Sequence, residues 1–331
     1  MYTDEDLDNA VEKGIFSETS VAKFRSSIAE AMSSPVADEE NFRLIASFND
    51  VFVVIACLLL LVSSAWVVSG FHPAAAMAVV AMLSWVLAEL FVRKRNMALP
   101  AIVLLMTFVG SVFACFMVLF ESTPEKVFVF SAAASSIGAW LHWIRFQVPI
   151  TVAAGVGFVG LFAVSSLLFA YPELFTYTLY LIFLSGLITF GIAMAWDSAD
   201  LERVTRKSDV AFWLHLVSAP LIVHPVFSTL GVLEGDESLF SIAVIMVLYV
   251  ALTIVSLVID RRAFMVSSLI YVLFALVSLL STYGFAGDSI AFVGVFIGFS
   301  LLLLSGFWHK ARGQLVKSLP SFIRNKVPLA D

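Results

Sequence analysis

Two histidines, His215 and His224, share one apolar stretch with Pro220 and Pro225. Each proline lacks an amide hydrogen and frees the carbonyl four residues before it, here those of Leu216 and Leu221. In hydrocarbon a freed carbonyl needs a partner. A kinked helix with freed carbonyls and an ionisable ring is the kind of element that lines transporter sites. The same residues also read as a kinked structural helix whose neutral histidine bonds a neighbouring backbone group. Nine residues separate the two rings. At about 100° per residue they leave a straight helix on opposite faces, so no shared metal ion is expected.

A second group, Glu89, His142, Trp196, Asp197, Asp200, Asp209 and His215, falls near one end of successive apolar runs. Brought together, these acids and histidines would relay protons or bind a cation. The plainer alternative is interfacial pairing. Glu89 is one turn from Arg93 and His142 is three residues from Arg145, so each can snorkel to the membrane surface. Trp143, Trp196 and Trp213 fit an aromatic belt there. The chain carries no phosphate-binding glycine loop, GxSxG, HExxH, paired CxxC or dinucleotide fingerprint. No cofactor or metal is expected and no catalytic residue is assigned. Cys57 and Cys115 lie in apolar runs and read as packing residues.

The elements that carry these groups are transmembrane. Apolar residues make up 61% of the chain and charged ones 13%, against roughly half and a quarter in a soluble domain. Ten runs of span length lie near 51–69, 73–92, 98–120, 127–145, 149–170, 176–196, 210–230, 239–259, 263–284 and 289–308. The expected fold is an all-α, polytopic transmembrane bundle of about ten spans. Pro73, Pro100 and Pro149 stand in the first turn of their spans, where the missing amide is harmless. Spans 2–3 and 8–9 are similar basic hairpins, a weak internal resemblance.

Orientation follows from the bases. With ten spans, Lys126 alone among the 19 lysines and arginines falls on one side of the membrane. The side holding the others is therefore cytoplasmic, and so are both termini. The opposite loops are short and acidic and leave no room for an outer receptor domain. Few charges lie at mid-bilayer depth, which argues against a route for a highly charged solute.

Residues 1–50 form an acidic lead-in of net charge −7 in a chain of −6 overall. The acidity thus belongs to one small segment and points to no nucleic-acid partner. Thr3 with Asp6 fits a capping box, Gly14 is placed to end a first helix in the left-handed region, and Ser17 can cap a second. Their apolar stripes, with Leu7, Ala10 and Val11 on the first and Val21, Phe24, Ile28 and Met32 on the second, can pack on each other, on the bundle or on a protein partner at residues 1–35. The first long apolar run begins near residue 51 behind this stretch, so no cleavable leader is expected. Residues 309–331 read as a basic amphipathic tail lying on anionic lipid headgroups. Small residues in spans 4 and 5, and Gly294 with Gly298 in span 10, permit close helix approach.

The opening, with Leu7, Ala10-Val11, Gly14-Ile15 and Ser17 ahead of the first span, resembles uncharacterised bacterial inner-membrane proteins in which a helical hairpin precedes a multi-span bundle. The resemblance covers mainly residues 1–69. It implies an inner-membrane location and no particular activity. Three functions stay open. The first is a transporter or permease for a small or lipophilic solute, lined by span 7 and joined by Glu89 and His142. The second is a scaffold that docks a partner through residues 1–35. The third is an intramembrane enzyme using His142, Asp197 or His215.

Overall fold

The computed structural model describes residues 7, 10, 11, 13–17, 19–21, 23, 24, 48–120, 124–201, 203, 205–231, 239–282, 289–324 and 326–328. Among them the chain is helical, without strands. The helices are α1 (Phe48–Ser69), α2 (Pro73–Ala88), α3 (Ala98–Leu119), α4 (Pro124–Phe146), α5 (Pro149–Ala170), α6 (Thr178–Ser198), α7 (Arg206–Ser228), α8 (Leu239–Ile259), α9 (Ala263–Thr282), α10 (Ser289–Lys317) and the short α11 (Ser321–Arg324). Ten of them are long and apolar enough to cross a membrane, and they coincide with the ten apolar runs. The chain is a multi-pass membrane protein.

The boundaries differ from expectation where local chemistry decides them. α7 begins at Arg206, because the Thr205 hydroxyl accepts from the Lys207 amide at 3.2 Å and caps the helix. α2 runs on as a π-helical turn over Glu89–Lys94. A 3₁₀ segment, Pro172–Tyr177, separates α5 from α6. α10 continues unbroken to Lys317, past the span end expected at 308. Its last turns are built into the protein. Arg312 is buried and donates to the Pro328 carbonyl at 2.7 Å, and Val316 and Val327 are buried as well. Lys310, Lys317, Arg324 and Lys326 stay exposed.

All four hairpin loops on the basic side turn by one device. Asn96, Gln147, Arg203 and Asp260 each adopt a left-handed backbone, with φ of 51° to 55°. This reverses the chain after α2, α4, α6 and α8 in turn. After α8 the Arg261 amide donates to the Ser256 carbonyl at 3.0 Å, a six-to-one closure with Asp260 in the left-handed position. Gln147 and Arg203 take this conformation without glycine's freedom, at about 1–2 kcal/mol each. The folded loops must hold them.

Most of the N-terminal lead-in expected over residues 1–50, including Thr3, Asp6, Ile28 and Met32, lies outside the described residues. The described part shows the two expected caps. Gly14 has φ +66°, with the Ile15 amide donating to Ala10 at 2.9 Å, and the Ser20 amide donates to Ser17 Oγ at 3.1 Å.

α7 is the centre of the bundle. Half of its spanning window is buried, more than in any other span, and it packs on α5, α6 and α9. One apolar cluster joins Ala219, Val223 and Phe227 of α7 to α8, α9 and α10, and another joins Val210 and Leu214 to α5 and α6. A third, around Cys57, Leu61 and Leu104, ties α1 to α2 and α3. α6 meets α7 most tightly at Gly186. A Cβ there would lie 2.9 Å from the carbonyl carbon of Leu221. Pro225 frees that same carbonyl, so the glycine admits the neighbouring helix where α7 lacks a backbone bond.

Two outcomes follow. Gly186→Ala is expected to destabilise the purified protein by about 1–3 kcal/mol, measured as a lower unfolding midpoint in detergent; an unchanged midpoint would mean that α6 and α7 do not meet there. In intact cells, a membrane-impermeant thiol reagent should label Ser122→Cys, whereas Ser318→Cys should react only after permeabilisation. The reverse pattern would overturn the orientation read from the bases.

Candidate functional site

The polar residues sort into three places. The first lies at the basic end of α6–α9. Asp197, in the last turn of α6, accepts from His215 Nε2 of α7 at 2.8 Å. Arg261, in the α8–α9 loop, donates to the other carboxylate oxygen at 2.7 Å. The same guanidinium nitrogen reaches Ser208 Oγ at 2.9 Å and the Ser208 carbonyl at 3.2 Å. The Phe212 ring lies 5.9 Å from the guanidinium carbon. All four polar side chains are essentially shut from solvent. Each ion therefore depends on the others for what water would supply.

An adjoining pair locks the two loops together. Arg203 donates to Asp260 Oδ2 at 2.8 Å and to the Ile259 and Asp260 carbonyls at 3.1 Å, satisfying the end of α8. Trp308 Nε1 of α10 donates to the other Asp260 oxygen at 2.8 Å, and Arg312 lies 3.4 Å from it. The two left-handed residues of these loops are thus each other's ion partners. Asp200 accepts from the Thr205 amide at 2.9 Å and its hydroxyl at 2.6 Å, and Asp209 sits in the first turn of α7, at the favourable end of its dipole.

The second place is the basic end of α2–α5. Glu89, on the π-turn, accepts from Arg145 of α4, with Nη2 at 3.0 Å, and from Arg93 at 3.4 Å. The pairing expected between His142 and Arg145 does not form. His142 is wholly buried, because it sits on the inward face of α4 while Arg145 sits outward. The His142 Nδ1 lies 3.2 Å from Thr151 Oγ1 of α5. Its ring is boxed by Trp85, Phe108 and Phe146, with centroids 4.5–6.0 Å away. Glu89 and His142 therefore do not join Asp197 and His215 in one cluster.

The third place concerns α7 itself. His224 Nδ1 lies 2.7 Å from the Tyr271 hydroxyl of α9, and Ser228 Oγ is 3.4 Å away. His215 and His224 serve opposite neighbours, as their spacing requires. Pro220 and Pro225 lie within an otherwise continuous helix.

Open space lies elsewhere. Two adjoining cavities of about 540 and 450 Å³ share Val156, Gly160 and Val164 of α5 with Ser185 and Thr189 of α6. Together they make a groove between α5 and α6, with α4 at its side and Leu221 of α7 at its floor. Trp140, Val159, Leu184 and Ile188 border it and are more than half exposed on the lipid-facing surface of the bundle. Among the described residues no ionisable side chain lines it. Its polar groups are hydroxyls, including Thr151, Ser165, Thr178, Ser185 and Thr189, and the Trp143 and Trp196 rings close its basic end. α7 reaches it at Leu221, the residue whose carbonyl Pro225 frees. The glycines of α5 shape it. Gly155 faces Ala139 of α4, Gly157 faces Val217 of α7 and Gly160 faces Ser185 of α6, so at these three positions α5 lies close to its neighbours.

Among the described residues no group of acids, histidines and cysteines is arranged to hold a metal ion. Searches against protein-family models, curated proteins and solved structures return no match for the chain.

The sequence named Asp197 and His215 but not their partner. Arg261 counts among the cytoplasmic bases, and nothing in its spacing separates it from Arg262, whose guanidinium lies 4.9 Å from the Trp308 ring centroid. Arg261→Met is expected to cost about 3–5 kcal/mol, because Asp197 is left buried and charged. Asp197→Asn/Arg261→Met together should recover most of that loss in the same unfolding assay. A single variant as stable as the parent would show that the cluster holds nothing.

Proposed function

We propose that the protein is a permease-like carrier for a lipophilic solute that enters from the bilayer through the α5–α6 groove. The groove itself carries this reading. It has the volume of a ligand site, which runs from roughly 300 to 1,000 Å³. Its rim faces hydrocarbon, and its lining offers hydroxyls without a charge. A charged solute would meet nothing there to replace its hydration. The enzyme reading lacks such support, since Asp197 and His215 are tied to Arg261 and line neither cavity. His224 is not among the residues that line the groove. It fastens α7 to α9 and stands outside the groove. We place the protein in the inner membrane, with the exposed Lys310, Lys317, Arg324 and Lys326 against anionic headgroups.

The test uses a photoactivatable fatty acid in vesicles that hold the purified protein. Labelling of α5 and α6 is expected to saturate and to be displaced by excess unlabelled fatty acid. Val164→Trp, which fills the shared wall of the two cavities, should remove the saturable part, and His224→Ala should leave it unchanged. Labelling that rises without limit, or that Val164→Trp leaves intact, would sink the carrier reading.

A further inference from the structure

The groove has a marked end. Its lining on α5 runs from Thr151 to Leu168, about 26 Å at 1.5 Å per residue, which is most of the hydrocarbon thickness. At the end away from the basic loops its walls are Phe128 of α4, Leu168 of α5 and Phe175 of the 3₁₀ segment. Lys126 stands beside that end. It lies two residues before Phe128, is exposed, and holds its ammonium 5.7 Å from the ring centroid of Phe169, the neighbour of Leu168. The sequence gives this side of the membrane one basic residue, and the fold puts it at the mouth of the groove. Glu173 is exposed in the nearby 3₁₀ turn, and no ion pair joins it to Lys126 among the described residues.

Resting on the carrier reading, we infer that the solute is an amphiphile with a long apolar chain and a phosphate-class headgroup, the chain lying in the groove and the phosphate meeting Lys126. The chemistry divides cleanly between the two parts. The uncharged lining accepts only the chain, so an acidic headgroup must remain at the mouth. There Lys126 is a compact cation with three donors, already over an aromatic face that orders it without neutralising it. Among the described residues that line the opposite end there is no such group. Thr151 is engaged with His142, Arg145 with Glu89, and Trp143 and Trp196 wall off the basic side. The headgroup therefore sits on the side opposite the basic loops.

Dodecyl phosphate and dodecanol share one chain and differ at the headgroup. Each is used to displace the photoactivatable fatty acid from the full-length protein in vesicles of phosphatidylcholine. The parent should take the alkyl phosphate about fivefold more tightly than the alcohol, the scale of one lysine at a membrane surface. Lys126→Gln, at an exposed position, should abolish that difference and leave the affinity for dodecanol as it was. Inorganic phosphate should not compete, which separates an amphiphile from the free anion. Equal affinities in the parent, a preference that survives Lys126→Gln, or competition by inorganic phosphate would each overturn the inference. Displacement of both amphiphiles that survives Val164→Trp would instead overturn the groove as the site.

Discussion

A guanidinium withdrawn from water has to be met by groups that replace its hydration shell, and in this bundle that demand falls on Arg261. It is the largest wholly buried side chain among the described residues. Its counter-ion, Asp197, belongs to a different hairpin, and the nitrogen that meets it also reaches Ser208 at the start of a third helix. A lone buried ion costs several kcal/mol, so these partners cannot separate independently. The α6, α7 and α8–α9 register is fixed at one point. Arg203 and Asp260 repeat the arrangement in the loops, where each holds the other's left-handed backbone in place.

The first five helices meet the same constraint with less charge. Their basic end is held by Glu89 and Arg145, still partly in water, and their interior by His142 in an aromatic box. The two halves meet through α7, on which both α5 and α6 lean. Since α7 already supplies each with a packing surface, α5 and α6 have little need of one another, and the 3₁₀ segment between them sets their outer ends apart. The groove follows from that geometry.

The ten spans and their alternation were legible in the sequence because run length and the placement of bases report directly on the bilayer. Gly14 and Ser17 were legible for a similar reason, since a cap is settled by a few adjacent residues. The ion network was legible only in part. Asp197 and His215 stand out as polar residues in apolar surroundings, whereas Arg261 looks like any other loop base. Its partner is 64 residues away, and no local pattern carries that distance. The interfacial pairing expected of His142 failed because three residues turn a helix by only about 300°, which leaves His142 on the inward face of α4 and Arg145 on the outward one. The groove was least legible. Gly155, Gly157 and Gly160 read as close-packing residues and do pack closely, while nothing local marks the space left between α5 and α6.

The distance between Asp197 and Arg261 also has a chronology. A chain enters the membrane from its N-terminus, and α6 and α7 are complete before the loop after α8 exists. For that interval Asp197 and His215 have each other but no guanidinium. Their position at the basic end of α6 and α7, near the membrane surface, makes the wait tolerable; the same carboxylate at mid-bilayer would strand the nascent hairpin. The second half of this protein thus cannot settle helix by helix. It matures when the α8–α9 turn arrives, and a ribosome that stalled before residue 261 would leave a bundle with its central charge still in search of a mate.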